Sequence, residues 1–100
     1  MDVKAFVVTT DLLMILCRCR IWIEDSNGHR IAGNKKYIDC TDYSHPDDYE
    51  FIYFPNQTYT VHAKVEGSFK RQKIRGPFNE NTCFSIHGTV DKWGFDQNSC

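Results

Sequence analysis

The chain has 100 residues, of which 41% are hydrophobic and 14% aromatic, and its net charge is −1. These values exclude a disordered chain and leave room for a single domain. A net charge close to zero also argues against a protein that neutralises nucleic-acid phosphates over its whole surface. Composition therefore indicates one small globular domain, of a size that cross-links would help to stabilise.

Residues 1–17 are the most apolar part of the chain. Lys4 precedes the apolar residues 5–8, and residues 12–16 form a pure apolar run. A short positive start before an apolar centre is typical of secretory signal peptides, and the segment is too short and too interrupted for a transmembrane helix. The alternative interpretation is an ordinary strand or helix packed on the domain. We expect residues 1–18 to be a signal peptide or N-terminal extension and residues 19–100 to be a single β-sandwich domain.

The predicted domain begins with a β-hairpin that runs from Cys19 to Cys40. Apolar and polar residues alternate along its first arm, with Trp22 on the polar face. The turn contains Asn27-Gly28, which supplies the positive φ angles that a tight hairpin needs. The second arm is predicted to end at Cys40.

Further strands follow the hairpin at a spacing of roughly ten residues. The segment 49–54 is nearly continuous in apolar and aromatic residues, which favours a strand buried on both faces. The other predicted strands are 58–67, 83–90 and a short edge strand at 93–95, and the basic segment 70–75 is a short strand or an exposed loop. The pattern predicts an all-β fold, a small disulfide-bonded β-sandwich of two antiparallel sheets with five to six strands, or a small barrel.

Five cysteines are many for a chain of this length, and their number is odd. No Cys-x-x-Cys pair and no His pair at helical spacing occurs, so the pattern favours disulfides over a metal site. We predict neither a metal nor a cofactor. If residues 1–18 are removed, Cys17 is lost and four cysteines remain, which can pair completely. The residues alone leave all three pairings open among Cys19, Cys40, Cys83 and Cys100.

One candidate site would carry acid–base chemistry, in which Glu and His move a proton and Arg stabilises a phosphate. The segments Tyr43-Ser44-His45 and Tyr49-Glu50-Phe51 resemble signatures of small guanyl-specific fungal ribonucleases. That resemblance implies a ribonuclease-like protein, active or degenerate, that binds or cleaves RNA. The implied residues are Tyr43, His45, Glu50 and His87, with Arg71 or Arg75 beside the phosphate. The alternative is a set of solvated loop histidines and an edge glutamate, and we favour it.

A second candidate site is a binding surface. Basic residues near aromatic ones can hold single-stranded nucleic acid, although a short basic run is more often a solvated loop. Tryptophan is frequent among interface anchors. A separate candidate, the acidic segment 39–50, lacks the ligand spacing of a calcium loop and is interpreted as a solvated face. The candidate binding residues are Trp22, Lys70, Arg71, Lys73 and Arg75, and Asn56 begins a glycosylation sequon.

The cysteine order over residues 19–100 resembles that of the MAX effectors, the ToxB-like secreted proteins of plant-pathogenic fungi. One cysteine begins the first strand, one closes the following strand, one lies in the second half and one ends the chain. In ToxB-like proteins the first cysteine pairs with the third and the second with the last. The resemblance therefore implies the disulfides Cys19–Cys83 and Cys40–Cys100.

The same resemblance implies a function. It indicates a secreted virulence effector that acts as a non-catalytic binding module on a host plant protein, with no role for a membrane. Strand addition at an exposed sheet edge is a physical route to such binding. Nucleic acid would bind, if at all, only through the basic segment 70–75. The sequence leaves open whether the protein enters the host cytoplasm and whether it is an oligomer.

Overall fold

The computed structural model describes residues 5–44 and 48–100, which form nine β-strands in two packed sheets. The strands are β1 (Ala5–Met14), β2 (Arg18–Asp25), β3 (Arg30–Gly33), β4 (Ile38–Asp39), β5 (Tyr49–Pro55), β6 (Tyr59–Val65), β7 (Lys73–Phe78), β8 (Thr82–Thr89) and β9 (Lys92–Asn98). The first sheet, sheet A, has the order β5-β1-β8-β9. The second, sheet B, has the order β3-β2-β6-β7, with β4 also pairing to β2.

The predicted class, a small disulfide-bonded all-β sandwich, is confirmed. Two details differ from the expectation. There are nine strands among the described residues rather than five or six. Sheet A also contains one parallel pair, β1 with β8, so it is not purely antiparallel.

Strand β1 is an inner strand of sheet A, between β5 and β8. Phe6, Val8 and Thr10 point into the sandwich and are buried. The boundary predicted at residue 18 is therefore corrected, because Ala5–Met14 belongs to the same folded unit as the rest of the chain. Inner strands with a parallel neighbour tend to be apolar on both faces, and this gives them the same apolar character as a signal peptide.

The core lies between the two sheets and is rich in aromatic rings. Phe84 stacks on Phe95 at a centroid distance of 4.6 Å, and Phe54 meets Tyr59 edge-on at the same distance. The buried Tyr59 hydroxyl lies 2.8 Å from the Thr82 hydroxyl and donates to a backbone carbonyl. The hydroxyl of the buried Tyr59 is therefore hydrogen-bonded, as buried polar groups generally are because leaving one unpaired costs free energy.

The hairpin predicted after Cys19 is confirmed. The turn is closed by hydrogen bonds between the backbones of Asp25 and His29 and of Gly28 and Asp25, and Gly28 has a φ of 80°. The second arm differs from the expectation, because it breaks after Gly33 into β3 and β4.

The disulfide pairing implied by the MAX resemblance is corrected. Cys19 is bonded to Cys40, with Cα atoms 5.8 Å apart, and Cys83 to Cys100, at 5.3 Å. Cys19 lies in sheet B and pairs with β4, and Cys40, which directly follows β4, therefore lies close to it. Cys83 alternates with the buried Thr82 and Phe84 and so faces out of sheet A, next to the end of β9. Cys19 lies in the core on sheet B, whereas Cys83 lies on the outer side of sheet A. A bond between them would therefore have to cross sheet A.

Strand β5 was expected to be buried on both faces, and this is wrong. It is an edge strand of sheet A, with Ile52 and Phe54 inside and Tyr49, Phe51 and Tyr53 exposed. Strand β9, which contains the predicted edge segment 93–95, does lie at an edge.

Candidate ligand-binding face

The outer face of sheet B is centred on two stacked rings, Trp22 from β2 and His62 from β6. The two residues are directly opposite each other in the antiparallel register. Their ring centroids are 5.3 Å apart and the planes differ by 19°. Trp22 is 9% exposed and His62 5%, because each ring covers the other.

Polar neighbours fix the orientation of both rings. The indole Nε1–H of Trp22 donates to a Glu24 carboxylate oxygen at 2.8 Å, and the other oxygen of Glu24 lies 3.4 Å from His62 Nε2. His62 Nδ1 lies within hydrogen-bond distance of Oε1 of Gln72, at 2.9 Å. Both rings therefore form a rigid, preorganised floor on this face.

Arg20 also contacts the ring of the tryptophan. Its guanidinium carbon lies 4.6 Å from the Trp22 ring centroid, and its Nε and terminal nitrogen donate to the carbonyl of Asn34 at 3.4 and 3.3 Å. Asn34 is itself held by the backbone of Ile21, to which it donates at 2.8 Å and from which it accepts at 3.0 Å. Gly33 permits this approach, since a Cβ there would lie 2.6 Å from the Ile21 carbonyl and the φ is 95°. Asn34, in the break between β3 and β4, thus holds the guanidinium of Arg20 in place through its carbonyl.

An open cavity of about 630 Å³, which we call the Trp22 pocket, lies on this face. Its lining residues are Arg20, Trp22, Lys64, Arg71, Gln72 and Ile74. Three of them are cations and none is a carboxylate, although Glu24 is bonded to the indole nearby. Ile74 is 51% exposed and adds an apolar wall. The pocket can therefore hold an anionic group beside an apolar one.

The structure brings only part of the predicted binding set together. Trp22 and Arg71 both line the Trp22 pocket. Lys73 and Arg75 point to the opposite side of β7, where Lys73 Nζ lies 5.2 Å from the Trp93 ring and Arg75 donates to the Phe95 carbonyl at 3.0 Å. The basic run divides in this way because residues alternate between the faces once β7 begins.

Lys70 lies before β7 on an exposed part of the chain and does not line the pocket. The sequence analysis missed four lining residues, Arg20, Lys64, Gln72 and Ile74. A signal for two of them was present. Arg20 and Lys64 are on the polar faces of two alternating strands and are directly opposite each other in the β2–β6 register.

The acid–base set is not assembled. Glu50 alternates with the exposed residues of β5 and points between the sheets, where it accepts from the Asn34 amide at 2.8 Å. His87 is on the outer face of sheet A, and its Nε2 lies 2.6 Å from Asp96. Glu50 and His87 therefore face opposite sides of the same sheet and share no site.

The remaining members of that set are also apart. The Tyr43 hydroxyl donates to Asp39, and Arg75 bonds to β9 at the opposite edge of sheet A from β5. Arg71 lines the Trp22 pocket on sheet B. His45 lies outside the described residues. The arrangement required for the ribonuclease-like hypothesis is thus not met by the residues that the structure describes.

The environment of Glu50 gives a testable effect of pH. Burial raises the pKa of its carboxyl, although the hydrogen bond from Asn34 lowers it in part. The folded protein then holds the proton more tightly than the unfolded chain. This contribution to stability is present at acidic pH and is lost as the pH rises from the ordinary glutamate pKa through the raised folded value.

We expect Glu50→Gln to stabilise the protein at neutral pH by about 1 kcal/mol, because it removes a poorly solvated charge. It also adds a donor near the buried hydroxyl of Thr10, which has no hydrogen-bond partner among the described residues. The gain should shrink toward acidic pH, as urea unfolding at several pH values would measure. Glu66→Gln, at a half-exposed surface carboxylate, is the matched control and should change little. A Glu50→Gln variant that is less stable at every pH, with an unchanged slope, would contradict this account.

The comparisons with known proteins assign no family. No protein-family model and no curated protein matches the chain. Among solved structures, the chain is similar to that of the human-specific toxin intermedilysin, with 13% sequence identity and a TM-score of 0.49. The alignment covers 97% of this chain and 24% of the toxin, so the chain spans about a quarter of the length of that protein.

Within residues 5–44 and 48–100, no helix has the length and apolar character needed to cross a membrane. No group of three or more His, Cys, Asp or Glu side chains is placed to hold a metal ion in the same residues. Asn56, the predicted glycosylation site, is exposed at the end of β5, and its glycosylation stays a prediction.

Proposed function

We propose that this protein is a secreted, non-catalytic binding module whose Trp22 pocket takes an acidic segment of a host protein. The observation that carries the proposal is the pocket itself, in which Arg20, Lys64 and Arg71 line one cavity together with Trp22. Guanidinium groups bind carboxylates through paired, charge-assisted hydrogen bonds. The apolar wall at Ile74 would accept a neighbouring apolar side chain of the same segment.

The state of the tryptophan favours a peptide over RNA. Single-stranded nucleic acid binds by stacking its bases on exposed aromatic faces. His62 stacks on Trp22, the Arg20 guanidinium also lies over the ring, and the side chain is only 9% exposed, so little ring surface is open to a base. Arg71 is exposed and so remains available for an anionic group at the rim of the pocket.

Two disulfides support the proposed secretion, because such bonds persist mainly in oxidising compartments. The resemblance to MAX effectors supplies the proposed class of partner, a host plant protein, and the proposed role in virulence. Entry into the host cytoplasm would be a later step of that same role.

An NMR titration with a synthetic glutamate-rich peptide tests the proposal. We expect the Trp22 indole resonance and the backbone amides of Lys64 and Arg71 to shift, and the binding to weaken as salt is raised. A single-stranded RNA oligonucleotide of equal charge is the comparison. Tighter binding of the RNA at these residues would contradict the peptide assignment, and no shift with either probe at millimolar concentration would overturn the binding role of the pocket.

A further inference from the structure

Strand β5 is an exposed aromatic edge of sheet A. Its outward-facing residues are Tyr49, Phe51 and Tyr53, which are 45%, 56% and 68% exposed. None of these side chains carries a charge. An exposed apolar edge strand is a template for pairing with another strand, and natural proteins usually protect such edges.

The hydrogen bonds of the sheet show which backbone groups face the open edge. The Leu12 N–H donates to the Asp48 carbonyl at 2.8 Å, and this pair continues the register of β1 with β5. In an antiparallel ladder, hydrogen-bonded pairs alternate with pairs that are not bonded. Counting from Asp48, the N–H and C=O groups that point away from β1 are those of Tyr49, Phe51 and Tyr53. No hydrogen bond between other described residues and these groups occurs.

The other sheet edges are protected in the ways that natural proteins use. Strand β7 contains Pro77, and its Ile74 carbonyl accepts from the side chain of Arg75. The same arginine bonds the Phe95 carbonyl of β9. Strand β3 has only four residues. Among the strands of the structure, β5 therefore offers the longest edge without such protection.

We infer that β5 pairs with β5 of a second copy of this chain, antiparallel and centred on Phe51. In this register Phe51 lies opposite Phe51 of the second copy, and Tyr49 opposite Tyr53. These are the residues whose backbone groups face the edge, so each pair exchanges two hydrogen bonds, about six in all. Glu50 lies beside Ile52 of the second copy, and no like charges meet. The strand is thus complementary to itself in backbone and in side chains.

The surface available sets the strength of this contact. An aromatic side chain can bury about 150–250 Å², and roughly half of each ring is open, which gives on the order of 600 Å² of aromatic surface from the two copies. Stable interfaces bury about 1,200 Å² or more. The dimer should therefore be weak and form at high protein concentration. It leaves both Trp22 pockets open, because they lie on the outer face of sheet B.

Analytical ultracentrifugation over a wide concentration range, up to millimolar, tests the inference. We expect the average mass to rise toward that of a dimer, and the Phe51→Lys variant to stay monomeric. Phe69→Lys is the matched control, because Phe69 is 94% exposed and lies on the connection between β6 and β7. It should associate like the unmodified protein.

Amide hydrogen exchange identifies the surface that is used. With rising concentration, the amides of Tyr49, Phe51 and Tyr53 should gain protection. A protein that stays monomeric at every concentration would overturn the inference, as would association that survives Phe51→Lys. A dimer whose newly protected amides lie in β7 or β9 would also overturn it. The result is independent of whether the Trp22 pocket binds a peptide.

Discussion

Deletion of residues 1–18 is expected to abolish the folded state. The deletion removes β1, which pairs with β5 on one side and β8 on the other, and so divides sheet A into separate pieces. It also removes Phe6 and Val8 from the core. Neither β5 nor the β8–β9 hairpin keeps a neighbour to close the gap, and a two-stranded hairpin alone is marginal in water. Circular dichroism and proton NMR of the 19–100 fragment would measure this loss.

Two point variants within β1 provide a matched comparison. Val8→Asn places an unpaired amide in the core, and we expect a loss of about 3 kcal/mol in the free energy of unfolding. Thr9→Asn changes the neighbouring residue on the outer face and should cost less than about 1 kcal/mol. If the 19–100 fragment gave a dispersed spectrum and a cooperative unfolding transition, β1 would not be part of the essential fold.

Removal of the Cys19–Cys40 disulfide is the second large effect. The bond joins two fully buried residues and closes a loop with a sequence separation of 21. A loop of this size corresponds to about 3 kcal/mol of stabilisation, and a cavity would add to the loss. The variant should carry both Cys19→Ala and Cys40→Ala, and urea unfolding would measure the difference.

The double substitution matters because of Cys17. This free, buried thiol lies opposite Cys40, whose N–H donates to the Cys17 carbonyl at 3.1 Å. If Cys19 alone were replaced, Cys40 would be left with a cysteine neighbour across the strands. Cys17→Ala is the control, and both native bonds should persist in it. Peptide mapping without reduction should find Cys19–Cys40 and Cys83–Cys100, and recovery of Cys19 linked to Cys83 would contradict the structure.

Local signals in the sequence predicted the parts of the fold that depend on local structure. The Asn27-Gly28 turn and the alternation along β2 and β6 identified those strands, because turn geometry and period-two patterning are properties of neighbouring residues. A strand at β1 was only the alternative interpretation of the sequence, since inner strands and signal peptides are both rich in apolar residues. The nearly continuous apolar character of β5 predicted burial on both faces, but three of its aromatic residues are exposed at the edge of the sheet.

The candidate site depends on pairings between distant parts of the chain. Trp22 was predicted as a binding residue, but its neighbours His62 and Lys64 come from β6 and are placed by the β2–β6 register. No local pattern fixes a register between strands separated by more than thirty residues. The disulfide pairing could not be predicted from local patterns either, because it depends on the sheet in which each cysteine lies. The interior position of Glu50, which separates it from His87, also follows from the sheet topology.

The charge of the Trp22 pocket provides the most direct test of the proposed function. The measurement is the dissociation constant for a glutamate-rich peptide, compared between the unmodified protein, Arg71→Glu in the pocket and Lys92→Glu on β9. Both variants change the net charge equally. We expect Arg71→Glu to weaken binding at least about tenfold, equivalent to about 1.4 kcal/mol, and Lys92→Glu to leave it nearly unchanged. Equal weakening by the two variants, or none by either, would contradict recognition at the pocket.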